Sequence, residues 1–200
     1  MSGKMKNKKR VFLIVIFCVL AIAWIIRYVS LNHYWRTVRP LEKRVIYQVG
    51  EEVPFGDNLM VSPHKYARGA SITINRVQIL DYQTFMEENQ IEQRRSPNRK
   101  AKLVIVLDAT FKNEGETVTI DLTDYYLHGI DQYYTTSFDI VESLNNGLLV
   151  ELQAGEEFDA ILAYPISEYS LSRGTWKNFD EYSLYLMATI RPELREIQIQ

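Results

Sequence analysis

The chain has a single cysteine in 200 residues. That residue, Cys18, sits inside an apolar run, so no disulfide can staple the rest of the chain. There is no Asn-x-Ser/Thr acceptor site. Histidine is scarce: His33, His64 and His128 are the only three, and none belongs to an H-x-x-x-H or H-E-x-x-H pair. No G-x-S-x-G elbow, Walker loop or dinucleotide fingerprint occurs. These absences exclude a disulfide scaffold, a Cys/His zinc site and the familiar nucleophile and nucleotide motifs. They leave no catalytic residue, metal ligand or cofactor to name.

What is present is concentrated at the start. Val11–Ile26 (VFLIVIFCVLAIAWII) is sixteen residues without a charge, twelve of them Leu, Ile, Val or Phe. As a helix it covers roughly 24 Å of a hydrocarbon core about 30 Å thick. Tyr28 and Val29 extend it if Arg27 snorkels, and Trp24 and Tyr28 suit the interfacial belt. Insertion of the twelve gains about 4 to 7 kcal/mol at most. Lys4, Lys6, Lys8, Lys9 and Arg10 precede the run, which favours a cytoplasmic tail at 1–10, a transmembrane signal-anchor at 11–29 and a basic juxtamembrane stalk at 30–44. The rival is cleavage after Ala21-Ile22-Ala23, opposed by the apolar Trp24-Ile25-Ile26 that follows. A lipoprotein signal fits worse, because Ile16-Phe17 stands where small residues should precede Cys18.

The net charge of −2 conceals an asymmetry. Residues 45–200 hold thirteen Lys/Arg against twenty-four Asp/Glu, a balance of −11. Such a body repels nucleic acid, which is excluded as a partner. The expected partners are the bilayer, through residues 11–29, and an envelope protein or wall polymer.

From Val45 on, the apolar pattern has period two. Leu103, Ile105, Leu107, Ala109 and Phe111 alternate with polar residues, with Val104 and Val106 as exceptions. Asn113-Glu114-Gly115-Glu116 then reads as a turn into Val118, Ile120 and Leu122, predicting a hairpin. Ile72 and Ile74 change phase relative to Val77 and Ile79 across Asn75-Arg76, which predicts a β-bulge. Phe158–Tyr164, Tyr182–Ile190 and Leu194–Ile199 give further strands, Pro192 ending the second of these runs. The connection Tyr82–Lys100 allows one helical turn near Thr84–Gln90. Seven to nine antiparallel strands without a long amphipathic helix predict an all-β sandwich.

Two clusters are candidates for contact with a partner. Tyr125, Tyr126, Tyr133 and Tyr134 form pairs in which strand alternation sends one ring inward and one outward. Arg94, Arg95, Arg99 and Lys100 are the only basic cluster on the acidic body. Asp121, Asp124, Asp131 and Glu142 are the only acidic set that could gather, but their spacing is not that of a calcium loop.

Several short motifs occur in a suggestive order: Tyr47-Gln48-Val49-Gly50-Glu51, Ile72-Thr73-Ile74-Asn75-Arg76-Val77, Phe111-Lys112-Asn113, Leu127-His128-Gly129-Ile130-Asp131 with Tyr133, and Leu152-Gln153-Ala154-Gly155-Glu156. In this layout the chain resembles the immunoglobulin-like, telokin-like extracytoplasmic domains of Gram-positive bacterial lipoproteins and membrane-anchored proteins. It departs from them in having an apolar anchor where many carry a lipobox, and in its longer basic connection at 84–101. The resemblance covers roughly residues 45–190; it implies that the body at 45–200 is an Ig-like sandwich outside the cell, and it carries no catalytic residue with it. The function to expect is a non-catalytic, membrane-anchored binding module. Two alternatives stay open: an accessory or immunity-like subunit acting through its helix, and an enzyme acting on the wall.

Overall fold

A computed structural model describes residues 14–30, 43–59, 67–92, 100–129 and 132–200. The chain divides into two units, Met1–Leu41 and Glu42–Gln200. In the first, residues 14–30 form a helix, α1. Its rise of about 1.5 Å per residue gives about 26 Å of described helix. Among the described residues no helix is long and apolar enough to cross a membrane. The first three residues of the apolar run lie outside them.

The second unit is a β-sandwich. Its strands are β1 (Lys43–Gln48), β2 (Glu52–Pro54), β3 (Ala70–Asp81), β4 (Ala101–Asn113), β5 (Val118–Asp121), β6 (Tyr126–His128), β7 (Tyr133–Thr135), β8 (Leu149–Leu152), β9 (Glu157–Ser167), β10 (Tyr185–Thr189) and β11 (Glu193–Gln198). One sheet has the order β1-β11-β10-β6-β7, the other β2-β3-β4-β9, and β5 pairs with β8 alone. The eleven described strands exceed the seven to nine expected, because short strands such as β2, β6 and β7 are too brief to show a period. One pair, β1 with β11, is parallel, so the sandwich is not purely antiparallel.

Alternation decides what is buried. Ile72 and Ile74 of β3, Leu107 and Phe111 of β4, and Leu162 and Tyr164 of β9 meet Leu127, Leu186 and Ile197 of the facing sheet in the main core. Each such side chain contributes about 1.5–3 kcal/mol by leaving water. The exceptions Val104 and Val106 have a physical reason. They face outward from β4 and are covered by α2 (Tyr82–Glu88) and α3 (Phe138–Asn145), forming a second core with Phe85, Met86 and Ile140. A strand buried on both faces loses its period. The N-cap of α2 is Asp81, whose carboxylate accepts from the Thr84 backbone N–H at 2.9 Å.

The bulge is where the phase change placed it, with a register shift between Ile74 and Arg76. The predicted hairpin of β4 with β5 does not form. Both edges of β4 are occupied, by β3 and β9, so the chain leaves this sheet and β5 pairs with β8. Buried Asn113 fixes that exit: its Nδ2 donates to the carbonyls of Glu116 and Leu152 at 2.8 and 2.9 Å. Gly115 and Gly69 meet backbone to backbone there; a Cβ on Gly69 would lie 2.5 Å from the Gly115 Cα.

Candidate functional site

Leu127, Leu186 and Ile197 turn into the core, so their strand neighbours His128, Tyr185 and Glu196 point to the outer face of the five-stranded sheet. Register lays Tyr133 beside His128, and His128 beside Tyr185, in one row across β7, β6 and β10. The ring centres are 5.7 Å apart for the first pair and 5.6 Å for the second. Arg44 extends the row from β1, its guanidinium carbon 4.7 Å from the centre of the Tyr185 ring, within cation–π reach.

Glu196 ties this row together. It faces outward from β11, yet its side chain is 0% exposed. Arg44 Nε donates to one carboxylate oxygen and His128 Nε2 to the other. Burial pulls the Glu196 pKa up, but the bonds from His128 and Arg44 outweigh it and hold the group below its ordinary value. The bond to Glu196 raises His128 in turn, against burial, which pulls it down. The other ring nitrogen, Nδ1, lies 3.3 Å from the Gly129 carbonyl oxygen. A carboxylate and a carbonyl can only accept, so both contacts are satisfied together when both nitrogens carry protons. Imidazolium, guanidinium and carboxylate then sum to one positive charge, set on a body of net −11.

An open cleft of about 690 Å³ lies over the row, lined by Arg44, His128, Tyr133 and Tyr185, with Gly129, Gln132 and Ser183 completing its wall. Gly129 leaves room for the Tyr182 ring here: a Cβ at this position would lie 2.2 Å from the Tyr182 hydroxyl oxygen. The arrangement can bind and orient a ligand by charge, hydrogen bonds and aromatic contact.

The tyrosine pairs split as alternation requires. Tyr133 is 69% exposed and Tyr126 half-buried. Tyr125 and Tyr134 are core residues rather than contact residues. Tyr125 is fully buried, its ring 5.2 Å from that of Phe111 and its carbonyl accepting from the Tyr164 hydroxyl at 3.1 Å. Tyr134 is buried enough that its hydroxyl is pushed up to about 12. Lys100 is exposed, its ammonium 5.2 Å from the centre of the Tyr169 ring. Arg94, Arg95 and Arg99, with His33, His64 and Asp131, lie outside the described residues. Asp121 accepts from its neighbour Thr123 at 2.9 Å. Among the described residues no three His, Cys, Asp or Glu side chains gather as a metal site.

In the sequence His128 belongs to no metal-binding pair, Arg44 falls at the end of the stalk, and nothing singles out Glu196 or Tyr185. Alternation does put Glu196 opposite Ile197. No local signal reports that His128 lies within reach two strands away.

The fold and site define a two-sheet sandwich domain with a charged, aromatic-flanked cleft on one outer face. The chain belongs to the family described as a domain of unknown function, DUF5028, which matches residues 44–195. No curated protein matches it. Among solved structures it is similar to the yjhA protein from Bacillus subtilis, at 14% identity over 77% of this chain and 99% of that one, with a TM-score of 0.46. The secreted protein MPT63 from Mycobacterium tuberculosis gives 10% identity, 78% and 97% coverage and a TM-score of 0.46. A putative lipoprotein, ycdA, from Bacillus subtilis gives 13%, 74% and 38%, with a TM-score of 0.44. At such scores these likenesses carry no argument about function, and the architecture rests on the strand pairing above.

Proposed function

We propose that this chain is a single-pass membrane protein with a cytoplasmic tail at 1–10 and an anchor at 11–29. Its body, an immunoglobulin-like sandwich, lies outside the cytoplasm and binds an envelope protein or wall polymer without catalysis. The anchor reading is supported by the uncharged apolar run behind five basic residues. The binding reading is carried by one observation: the open cleft over the Arg44–Glu196–His128 cluster, where exposed Tyr133 stands beside the His128 ring that bonds the buried Glu196 carboxylate. A plain solvated sheet face needs no buried ion cluster, whereas a recognition surface needs its charges held in place. Tyr126, Tyr133 and Lys100 keep their proposed contact role, as do Arg94, Arg95 and Arg99; Tyr125 and Tyr134 support the surface from within.

A photo-reactive phenylalanine replacing Tyr133 in the full-length chain tests this in living cells. The expected result is a discrete adduct with an envelope component, absent when the probe replaces Asp159 on the other sheet. Equal labelling from both positions, or none from Tyr133, contradicts the reading.

A further inference from the structure

The chemistry of the cleft narrows its ligand, and this step rests on the binding reading above. We infer that the cleft binds a sugar carrying a single negative charge, a carboxylate or a phosphodiester, with the anion at Arg44 and the ring against Tyr133.

The sign comes from the cluster. With both His128 ring nitrogens protonated, as its two acceptors require, Glu196 neutralises one of two cations and is itself buried, so the charge offered to a ligand is the remaining positive one. The Arg44 side chain stays 45% exposed after bonding Glu196 and stacking on Tyr185. A guanidinium so held keeps its charge and its planar donors available to a carboxylate or a phosphate oxygen. One residual charge matches a monoanion. The −11 balance of the surrounding body opposes a dense polyanion at any distance within the Debye length.

The sugar comes from the walls. Among the described residues no aliphatic side chain lines the cleft; its described walls are charged, aromatic and polar, unlike the mostly apolar lining of a closed hydrophobic pocket. Tyr133 offers a broad exposed ring, one side of which is engaged with His128. A pyranose has a C–H face that packs on such a ring and hydroxyls that reach donors such as Gln132 and Ser183. The volume suits a small ligand or a short segment of polymer. A second cleft of about 540 Å³ beside the end of α3 lacks these features: Asp108 and Asp159 outnumber the cation Arg76 among its described lining residues, and Leu144 and Ile161 are aliphatic.

The test is titration calorimetry on the full-length chain in neutral detergent with three probes. Methyl galacturonide carries one carboxylate, methyl glucoside 6-(methyl phosphate) carries one phosphodiester, and chitotetraose carries no charge. Binding of either anionic probe is expected, the better one naming the source, with chitotetraose at least tenfold weaker. Arg44→Gln and Tyr133→Ala should each weaken the anionic probe at least tenfold, with the circular dichroism spectrum unchanged. Chitotetraose binding as well as the others, indifference to both substitutions, or no binding overturns the inference. If no probe binds while the Tyr133 photo-adduct still forms, the sugar assignment alone falls. If neither appears, the binding reading falls with it.

Discussion

His128 and Glu196 stand 68 residues apart in sequence and meet across β10, the strand that separates β6 from β11. Their hydrogen bond, with that of Arg44, turns three outward-facing residues into one electrostatic unit. The pair should titrate as such. His128 is raised above its ordinary 6.5, so its contribution to stability is complete below that value and is lost as the pH rises through the folded-state pKa. Glu196 is lowered below 4.5, so its contribution holds above that value and is lost as the pH falls through the folded-state pKa. Stability from the cluster is therefore greatest between these two limits. An NMR titration of the His128 ring should show a midpoint above 6.5 that drops on Glu196→Gln. An unmoved midpoint would show that the bond does not set it.

Removing the carboxylate leaves two cations facing each other. Glu196→Ala should cost about 2 kcal/mol at pH 6, less than a fully buried pair because Arg44 is half in water. Urea unfolding at pH 6 and at a pH above the His128 midpoint found by NMR checks this, with a smaller loss expected at the higher pH, where His128 has lost its proton.

Gly129→Ala places a methyl group 2.2 Å from the Tyr182 hydroxyl oxygen. Overpacking of this kind costs about 1–3 kcal/mol. The double variant with Tyr182→Ala should be more stable than the two separate losses predict, because the clash is then relieved. Simple additivity would mean that Gly129 matters for another reason.

Asn145, near the end of α3, serves the open edge of β9. Its Nδ2 donates to the Ile161 carbonyl at 2.9 Å and its Oδ1 accepts from the Ile161 N–H at 2.7 Å. Replacement by alanine strips two backbone groups of their partner and should cost about 1–3 kcal/mol. Edge strands without cover also pair with other chains. Light scattering of Asn145→Ala should therefore show more association on mild heating than the parent chain.

Val104 tests the second core. Val104→Asp buries a carboxylate beneath α2 and α3 and should cost about 3 kcal/mol or more. A loss of a few tenths would mean that the helices do not seal that face.

Legibility followed the length scale of the cause. The long strands β3, β4 and β9 were readable because each has one face in the main core, and the bulge at Asn75-Arg76 showed as a slip of phase. Val104 and Val106 already broke the alternation, but the helices that bury them are short and separated from β4 in sequence. The turn after Asn113 was readable as a turn. Its destination was not, since that depends on β9 already occupying the edge of β4. That each tyrosine pair splits, one ring inward and one outward, followed from period two; which ring turns inward did not. The cluster of Arg44, His128 and Glu196 stayed hidden because register across four strands, not local pattern, brings it together.

The account centres on an acidic sandwich outside the cytoplasm, showing its tyrosine-flanked cleft to the surroundings. The most direct measurement is reaction of a Cys18→Ala, Tyr133→Cys full-length chain with a membrane-impermeant maleimide on intact cells. The account predicts labelling before lysis equal to that after permeabilisation. Labelling that appears only once the membrane is opened would put the cleft on the wrong side and contradict it.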